Sequence, residues 1–588
     1  MMVKSLVLVW TALAGCSLLQ AQLPPVFGKQ EIEKSWNDSR VRTYISPSRI
    51  VWMQQENGAT ITHSDRLVAK GSGQSDLNSG MACVLRSTEN SQAAILLDYG
   101  RELQGGIQLI TAIDGPNTPI RVRVRLGESA QEAMSTISAE SGATNDHAMR
   151  DFEVTLPWLG VLEVGNSGFR FARIDLLTPG VPLHLREANA IFTYRDIPWL
   201  GSFRSSDERL NRIWMTGAYT VHLNMQEYLW DGIKRDRLVW VGDLHPEVMT
   251  VNTVFGNQEV VSKSLDLARD RTPLPGWMNG MSSYSIWWIL IHHDWYMYQG
   301  NRVYLEEQRD YLKGLLAFMQ SKVDASGKET LDGGRFLDWP SSENKPGIHA
   351  GLQAMMVMGF DAGARLCDIL GESEIAAACR KTAGLMRGYR PDPNGSKQAA
   401  ALLALAGMIP AEQANREVIA VGGAKNFSTF YGYYMLEAQA KAGDYASALN
   451  NIRTYWGAML DFGATTFWED FNLDWTLNAA PIDNLVPEGK VDIHGSYGAY
   501  CYEKFRHSLC HGWASGPTSW LSRHVLGFEV VEPGCKTVRI VPHLGDLAWA
   551  EGTLPTPRGL IKVRHEKRPD GTVKSTIEAP KGIKIVRK

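Results

Sequence analysis

Ser205-Ser206-Asp207-Glu208-Arg209-Leu210-Asn211-Arg212-Ile213-Trp214-Met215-Thr216-Gly217-Ala218 is the stretch where the hydrophobic period of the chain changes. Leu210, Ile213, Trp214 and Ala218 recur at three and four residues, one stripe of an amphipathic helix. Ser205 or Ser206 is placed to cap that helix, and Asp207 and Glu208 suit its positive N-terminal end. Downstream, the same period marks helices at about 246–269, 283–299, 302–322, 349–370, 373–388, 396–407, 428–441, 443–458, 494–508 and 514–526. Gly300 and Gly371 sit where helices stop. Helix following helix through short loops predicts a closed ring of helical hairpins over residues 201–528, not a βαβ fold.

Upstream of this stretch the period is two. Ile120-Arg121-Val122-Arg123-Val124-Arg125-Leu126 alternates apolar and charged residues, so one face should be buried and the other wet. Phe169-Arg170-Phe171-Ala172-Arg173-Ile174 repeats the pattern, and 94–100 and 107–110 read as further short strands. Gly105-Gly106 and Asp114-Gly115-Pro116-Asn117 read as turns between them. Residues 23–200 are thus expected to form an antiparallel β-sandwich domain. Beyond the helices, 538–541, 560–563 and 582–585 read as strands, and Asp570-Gly571 as a hairpin turn, giving a small C-terminal β domain over 529–588.

Composition narrows the function. Of 588 residues, 44% are hydrophobic and 21% charged, as in globular proteins. Lys and Arg number 60 against 63 Asp and Glu, a net charge of −3, and no basic run marks a nucleic-acid partner. Trp (19) equals Tyr (19) and exceeds Phe (17), which fits either stacking platforms for sugar rings or a Trp-rich helical core. Residues 1–22 read as an export signal: Lys4 precedes the apolar run 5–13, which is too short to cross a membrane. Leu13-Ala14-Gly15-Cys16 looks like a lipobox, which would lipidate Cys16; cleavage after Ala21 would instead release the chain. Either way the protein is expected in the periplasm or on the cell surface, touching a membrane only through such an anchor. The other cysteines, 83, 367, 379, 501, 510 and 535, have no metal-ligand spacing; Cys367 and Cys379 could bridge or remain free thiols.

The chain lacks the phosphate-binding P-loop, the H-E-x-x-H zinc motif and the G-x-S-x-G elbow. Neighbouring His292, His293 and Asp294 point about 100° apart on a helix and cannot converge on one ion. What remains is carboxylates among aromatics. The loop Trp230 to Asp243 holds Asp231, Lys234, Arg235, Asp236, Arg237, Trp240 and Asp243; a second cluster is Thr465-Thr466-Phe467-Trp468-Glu469-Asp470-Phe471. Hydrolysis of a glycosidic bond needs two carboxyl groups in opposite protonation states, and aromatic walls with nearby cations can set them. From the residues alone, Arg235–Asp236 could equally be a plain salt bridge and Glu469 a helix cap.

The spacing Asp231-x-x-x-Arg235-Asp236-x-x-x-Trp240-x-x-Asp243 resembles the active-site motif of bacterial α-L-rhamnosidases, glycoside hydrolase family 78. Trp468-Glu469 resembles that family's later Trp-Glu element, and His511-Gly512-Trp513-Ala514 its sugar-lining His segment. Asp98-Tyr99-Gly100, Arg125-Leu126-Gly127-Glu128 and Gly168-Phe169-Arg170-Phe171 resemble its β-sandwich domain, so the likeness runs over roughly residues 90–545. The resemblance implies an (α/α)6 six-hairpin barrel flanked by β-sandwich domains, and inverting exo-hydrolysis of terminal α-L-rhamnosides from an oligo- or polysaccharide. It puts Asp236 at the general-acid position and Glu469 at the general-base position. It implies that Asp231, Arg235, Trp240, Asp243, Asp338, Trp339, Trp468 and His511 bind substrate. No organic cofactor and no metal ligand set is implied, and no EF-hand spacing supports a structural calcium.

Two departures bear on the sugar. The family usually carries Glu at the acid position, where this chain has the shorter Asp236, and often Cys-Pro where it has Gly232-Ile233. Asp231 or Asp243 is the alternative proton donor. A different terminal sugar, a carbohydrate-binding protein that has lost catalysis, and a polysaccharide lyase on a similar barrel are the competing readings.

Overall fold

In the computed structural model the described residues are 28, 30, 33–77, 79–113, 118–499 and 502–587. The leader 1–22 with Cys16, the turn 114–117 and Cys501 lie outside them. Nine strands between Arg40 and Arg195 hydrogen-bond into one antiparallel sheet. Gly105-Gly106, expected as a turn, instead lies inside a single strand, Ala94–Thr111. That strand bulges at Asp98/Leu103 and Gly105/Ile107 and pairs along its length with Arg49–Gln54, Val161–Leu176 and Leu183–Arg195. Neighbouring backbones come so close there that a Cβ on Gly106 would meet the carbonyl oxygens of Val164 and Gly165 at 2.5 Å. Glycine in a strand marks this kind of close approach.

The expected alternation along Ile120–Gly127 puts Val122, Val124 and Leu126 in the core. Arg125, expected on the wet face, is buried, with its guanidinium nitrogen 2.8 Å from Asp175. The second face of the sheet is covered too, by the short helix Ala130–Met134, which packs Ala130 and Ala133 on Leu96 and Phe171. A sheet buried on both faces needs such pairing for its charged residues.

The helical layer begins at Glu208–Asn224, where Asp207 rather than a serine is the cap: its carboxylate accepts the backbone N–H groups of Arg209 and Leu210. This helix packs on Leu244–Val254 and also on Tyr445–Asp461 and Gly516–Trp520, so the last helices return to the first. Every residue of Leu244–Val254 is buried. Lys345–Leu370 and Lys397–Leu405 are nearly as enclosed, whereas Glu259–Arg271, Arg309–Gln320 and Ser373–Gly388 bury one stripe each. All-round apolar helices inside and amphipathic ones outside are what a double ring requires. Among the described residues no helix is long and apolar enough to cross a membrane.

Three helical expectations fail, the first at 302–322, which Gln308 divides into Arg302–Glu307 and Arg309–Gln320. The stretch 246–269 breaks at Gly256, φ 73°, into two helices. The stretch 494–508 is not an α-helix: Gly498 and Lys504 take positive φ, and His494 and His507 are buried as anchors of an irregular segment. The strand Ser202–Ser205 joins Trp549–Thr556, Gly559–Lys567 and Val573–Glu578 in a C-terminal sheet, with the Asp570-Gly571 hairpin as expected. Cys83, Cys367, Cys379, Cys510 and Cys535 are free buried thiols. Of His292, His293 and Asp294, only the last two bond each other; Asp294 also binds His245.

Gly106→Ala is expected to cost ~1–3 kcal/mol, the range for forcing atoms into a filled site. Thermal unfolding of the variant beside the wild type checks the expected loss.

Candidate active site

The loop 231–243 is shaped by Asp231. Its two carboxylate oxygens accept the backbone N–H groups of Asp236 and Leu238, both at 2.9 Å, and its own N–H donates to the Leu238 carbonyl. The loop rests on the β-sheet through Gly168, whose N–H donates to the Ile233 carbonyl and whose missing Cβ leaves room for Ile233. On the other side Gly512 N–H donates to the Asp231 carbonyl, and Glu469 N–H to that of Ser508. The two acidic clusters, more than 230 residues apart, therefore meet.

Arg235 joins them. Its guanidinium donates to Asp236 Oδ1 at 2.9 Å, to both oxygens of Glu469 at 3.1 and 3.0 Å, and through Nε to the Arg506 carbonyl at 2.7 Å. The Tyr502 ring lies 4.2 Å beneath it. Below this, Lys234 Nζ is held by Glu128 at 3.0 Å, Glu132 at 3.1 Å and the carbonyls of Phe505 and His507. Glu128 and Glu132 come from the β-sheet side of the chain, and Glu128 also accepts the Leu509 N–H. The second face of the site is Asp243. It stands at the N-terminus of Leu244–Val254 without capping it; instead its oxygens take the Tyr284 hydroxyl at 2.8 Å and His511 Nε2 at 3.1 Å.

Asp231, Trp240, Asp243, Trp339 and His511 line a cavity with Met281, Tyr284, Phe336, Tyr502 and Trp513. The cavity is narrow, about 50 Å³, and is walled mainly by aromatic rings. The other expected site residues stand around it. Asp236 bonds the wall through Trp240 Nε1 at 3.1 Å. Arg235 and Glu469 lie behind the cavity, Glu469 with 1% of its surface exposed. Asp338 is buried under Trp339, where it accepts bonds from Ser341, Gln398 and Ser428 and so braces the loop that presents the indole. Trp468 is not in the cavity wall: its ring is enclosed in the helical core against Phe471, because the strand-like alternation turns Glu469 one way and Trp468 the other. Met281, Tyr284, Phe336 and Tyr502 belong to the wall and escaped sequence reading; apolar helix positions and an irregular loop carry no motif.

Charge states follow from these contacts. Burial raises the Glu469 carboxyl, but Arg235 and then His511 outweigh it and hold the group below its usual range, hence ionised. Burial pushes Asp231 up to about 7, with Asp243 and Asp236 adding to the effect. Burial would depress His511, yet Glu469, the Asp243 hydrogen bond and Asp231 raise it to about 9, so it is an imidazolium near neutral pH. Two groups bring ligand-type atoms within 4.8 Å: Asp231, Asp243, His511 and Glu128, Glu132, His494. In the second the Lys234 ammonium already supplies positive charge.

Lys234→Met would leave Glu128 without its cation and Glu132 with Arg150 alone, 3.8 Å away, at an expected cost of ~3–5 kcal/mol in chemical denaturation. His511 has a folded pKa above its unfolded one, so its contribution is complete below about pH 6.5 and fades as pH rises through about 9. The Tm advantage of the wild type over His511→Asn should therefore shrink between pH 6.5 and 10.

Residues 198–387 match the bacterial alpha-L-rhamnosidase 6 hairpin glycosidase domain, and 527–586 the bacterial alpha-L-rhamnosidase C-terminal domain. An alpha-L-rhamnosidase of Alteromonas sp. (strain LOR) is 24% identical over 451 residues, 69% of this chain and 46% of that protein, so the chain spans less than half the length of this curated relative. The GH78 family rhamnosidase of Bacillus sp. GL1 shares the fold with a TM-score of 0.69 and 24% identity over 86% of this chain and 54% of that one. The rhamnosidase from Klebsiella oxytoca with rhamnose bound does so with a TM-score of 0.66 and 20% identity, over 83% of this chain and 96% of that one. The chain thus carries a helical six-hairpin domain between two sheet domains, and its six-hairpin and C-terminal domains are similar to those of bacterial alpha-L-rhamnosidases.

Proposed function

We propose that the chain is an inverting exo-glycosidase that releases terminal α-L-rhamnose from glycans. The observation that carries this reading is the convergence of Asp236 and Glu469 on one guanidinium next to a narrow aromatic cavity, whose wall residues Trp240 and His511 they touch. Oxygens bonded to opposite ends of so rigid a fork are no more than roughly 8 Å apart. That ceiling overlaps the lower part of the ~6.5–9.5 Å range that leaves room for a water between acid and base.

Glu469, kept ionised by Arg235, is the base. Its Oε1 lies 3.7 Å from His511 Nδ1, so one water can bond both groups at once. That water attacks the anomeric carbon and gives its proton to Glu469, while Asp236 protonates the departing oxygen as the glycosidic bond breaks. Free sugar of inverted configuration and a hydroxyl-bearing leaving group result. Asp243, Tyr284 and His511 are placed to hold sugar hydroxyls, and Trp240, Trp339 and Trp513 to pack on the ring and its methyl group.

A second reading of the acid rests on Asp231, which lines the cavity and is half-protonated near pH 7. Its two oxygens are held by backbone N–H groups of the loop, whereas those of Asp236 are held by side chains, Arg235 and Trp240, so Asp236 is preferred. The residues before 23 support export, with the lipobox-like Leu13-Ala14-Gly15-Cys16 favouring a lipid anchor.

On a chromogenic α-L-rhamnoside, Asp236→Asn and Glu469→Gln are each expected to lower kcat by ~10²–10⁴. Loss of the true acid is spared by an activated leaving group such as dinitrophenol, so the variant at 236 or 231 that recovers on that substrate identifies the donor. NMR of the first-formed anomer should show inversion; a retained anomer refutes the mechanism. Binding of rhamnose without release by the wild type would mark a carbohydrate-binding protein instead.

A further inference from the structure

A pocket of about 440 Å³ lies among the helices behind Trp339, and the chemistry above makes no use of it. That volume is in the range of small-molecule sites. Pro340 and Ser341, which follow Trp339, and Asp470, which follows Glu469, line this pocket, yet it shares no lining residue with the sugar cavity. Ser396 and Lys397, at the start of the helix Lys397–Leu405, form another part of its wall.

Lys397 is the unusual member of that wall. It is 6% exposed, its Nζ donates to the Gly423 carbonyl at 2.8 Å, and the Phe427 ring centre is 5.2 Å from it. Among the described residues no carboxylate pairs with it, whereas the other enclosed ammonium, Lys234, has two glutamates. Lysine is almost never enclosed without a partner charge. Burial pulls Lys397 down to about 8, so it stays charged near neutral pH. The Ser396 hydroxyl accepts only the Ala399 N–H, which leaves the backbone N–H groups of Lys397 and Gln398 without an acceptor among the described residues. The positive end of a helix thus adds to the ammonium, and together they suit an anion.

The rest of the wall says which kind of anion. Ser341 and Gln398 are spent on Asp338, but other polar groups are spare. The Asn426 side chain bonds nothing among the described residues, Asn472 uses only its carbonyl oxygen, for Asp474 N–H, and Asp470 only Oδ1, for Phe471 N–H. Burial raises Asp470 to about 7, with Asp338 and Glu469 adding, so it is half protonated near neutrality and can donate to or accept from a hydroxyl. Phe427 and Trp475 supply aromatic surface, the latter backed by the stacked Tyr497 ring at 5.4 Å. An inorganic anion would leave these amides and rings unused, and a neutral sugar would leave the ammonium without a counter-charge.

We propose that this pocket is a second carbohydrate site, separate from the sugar cavity, for a uronic-acid residue whose carboxylate sits against Lys397 and whose hydroxyls meet Asn426, Asn472 and Asp470. The test is ligand-observed NMR on the full chain at neutral pH, with the methyl glycosides of glucuronic acid, galacturonic acid and glucose, and with acetate and phosphate as bare anions. At least one uronide should bind in the millimolar range, and the glucoside at least about tenfold more weakly, the scale of one hydrogen bond to a charged group. Saturating L-rhamnose should leave the uronide bound. Lys397→Met should weaken the uronide at least about tenfold and leave the glucoside unchanged. Asn426→Ala alters an exposed side chain that bonds nothing in the fold, and should weaken the uronide about threefold; it decides the matter if Lys397→Met does not fold. The proposal is overturned if neither uronide binds, if the glucoside binds as well, if acetate or phosphate binds as tightly as the uronide, if rhamnose displaces it, or if the variants bind it as the wild type does. None of these readouts requires a bond to be cleaved, so this site and the hydrolase reading stand or fall separately.

Discussion

One guanidinium organises this protein. Arg235 lies between the carboxyl groups of Asp236 and Glu469 in a nearly dry setting, where charges interact several times more strongly than in water. Each partner gains something different. Glu469 is kept ionised despite full burial, and Asp236 is pinned at the cavity rim. Arg235 is itself located by its neighbour, because Lys234 is locked between Glu128, Glu132 and two carbonyls and leaves the loop little freedom to swing.

The buried electrostatics form a graded series. Burial raises Glu247, in a site where neither of its oxygens finds a partner, and also raises Asp231 and Asp243; His511, in contact with Asp243 and close to Glu469, is raised by those acids despite burial. Only Glu469 is drawn in the opposite direction, and it is the one acid of this group with an arginine against it. Desolvation sets the general trend and a single cation makes the exception.

Much of this was legible in the residues. The change of period at Leu210 announced the helical ring, and alternation through Val122 and Val124 announced the sheet. Asp231, Trp240, Asp243, Trp339 and His511 do face one cavity. The Trp excess has both meanings: Trp287, Trp288, Trp456 and Trp520 fill the helical core, while Trp240, Trp339 and Trp513 wall the cavity. The failures share a cause. Gly105-Gly106 and the segment 494–508 depend on contacts with distant backbone, which local patterning does not encode. Glu128 looked like part of a strand end, and its link to Lys234 exists only in three dimensions. Trp468 comes with Glu469 from the resemblance to a Trp-Glu element, although neighbouring residues in extended chain face opposite ways.

The N-terminal sheet is more than a companion to the helical ring. It furnishes Glu128 and Glu132 under the loop, Gly168 as its seat, and His147 at its tip. A helical domain excised at residue 200 would keep every residue of the sugar cavity and lose the footing of the arginine behind it. Swapping sheets between relatives would meet the same obstacle, so these two parts of the polypeptide can be inherited, engineered or expressed only as a matched set.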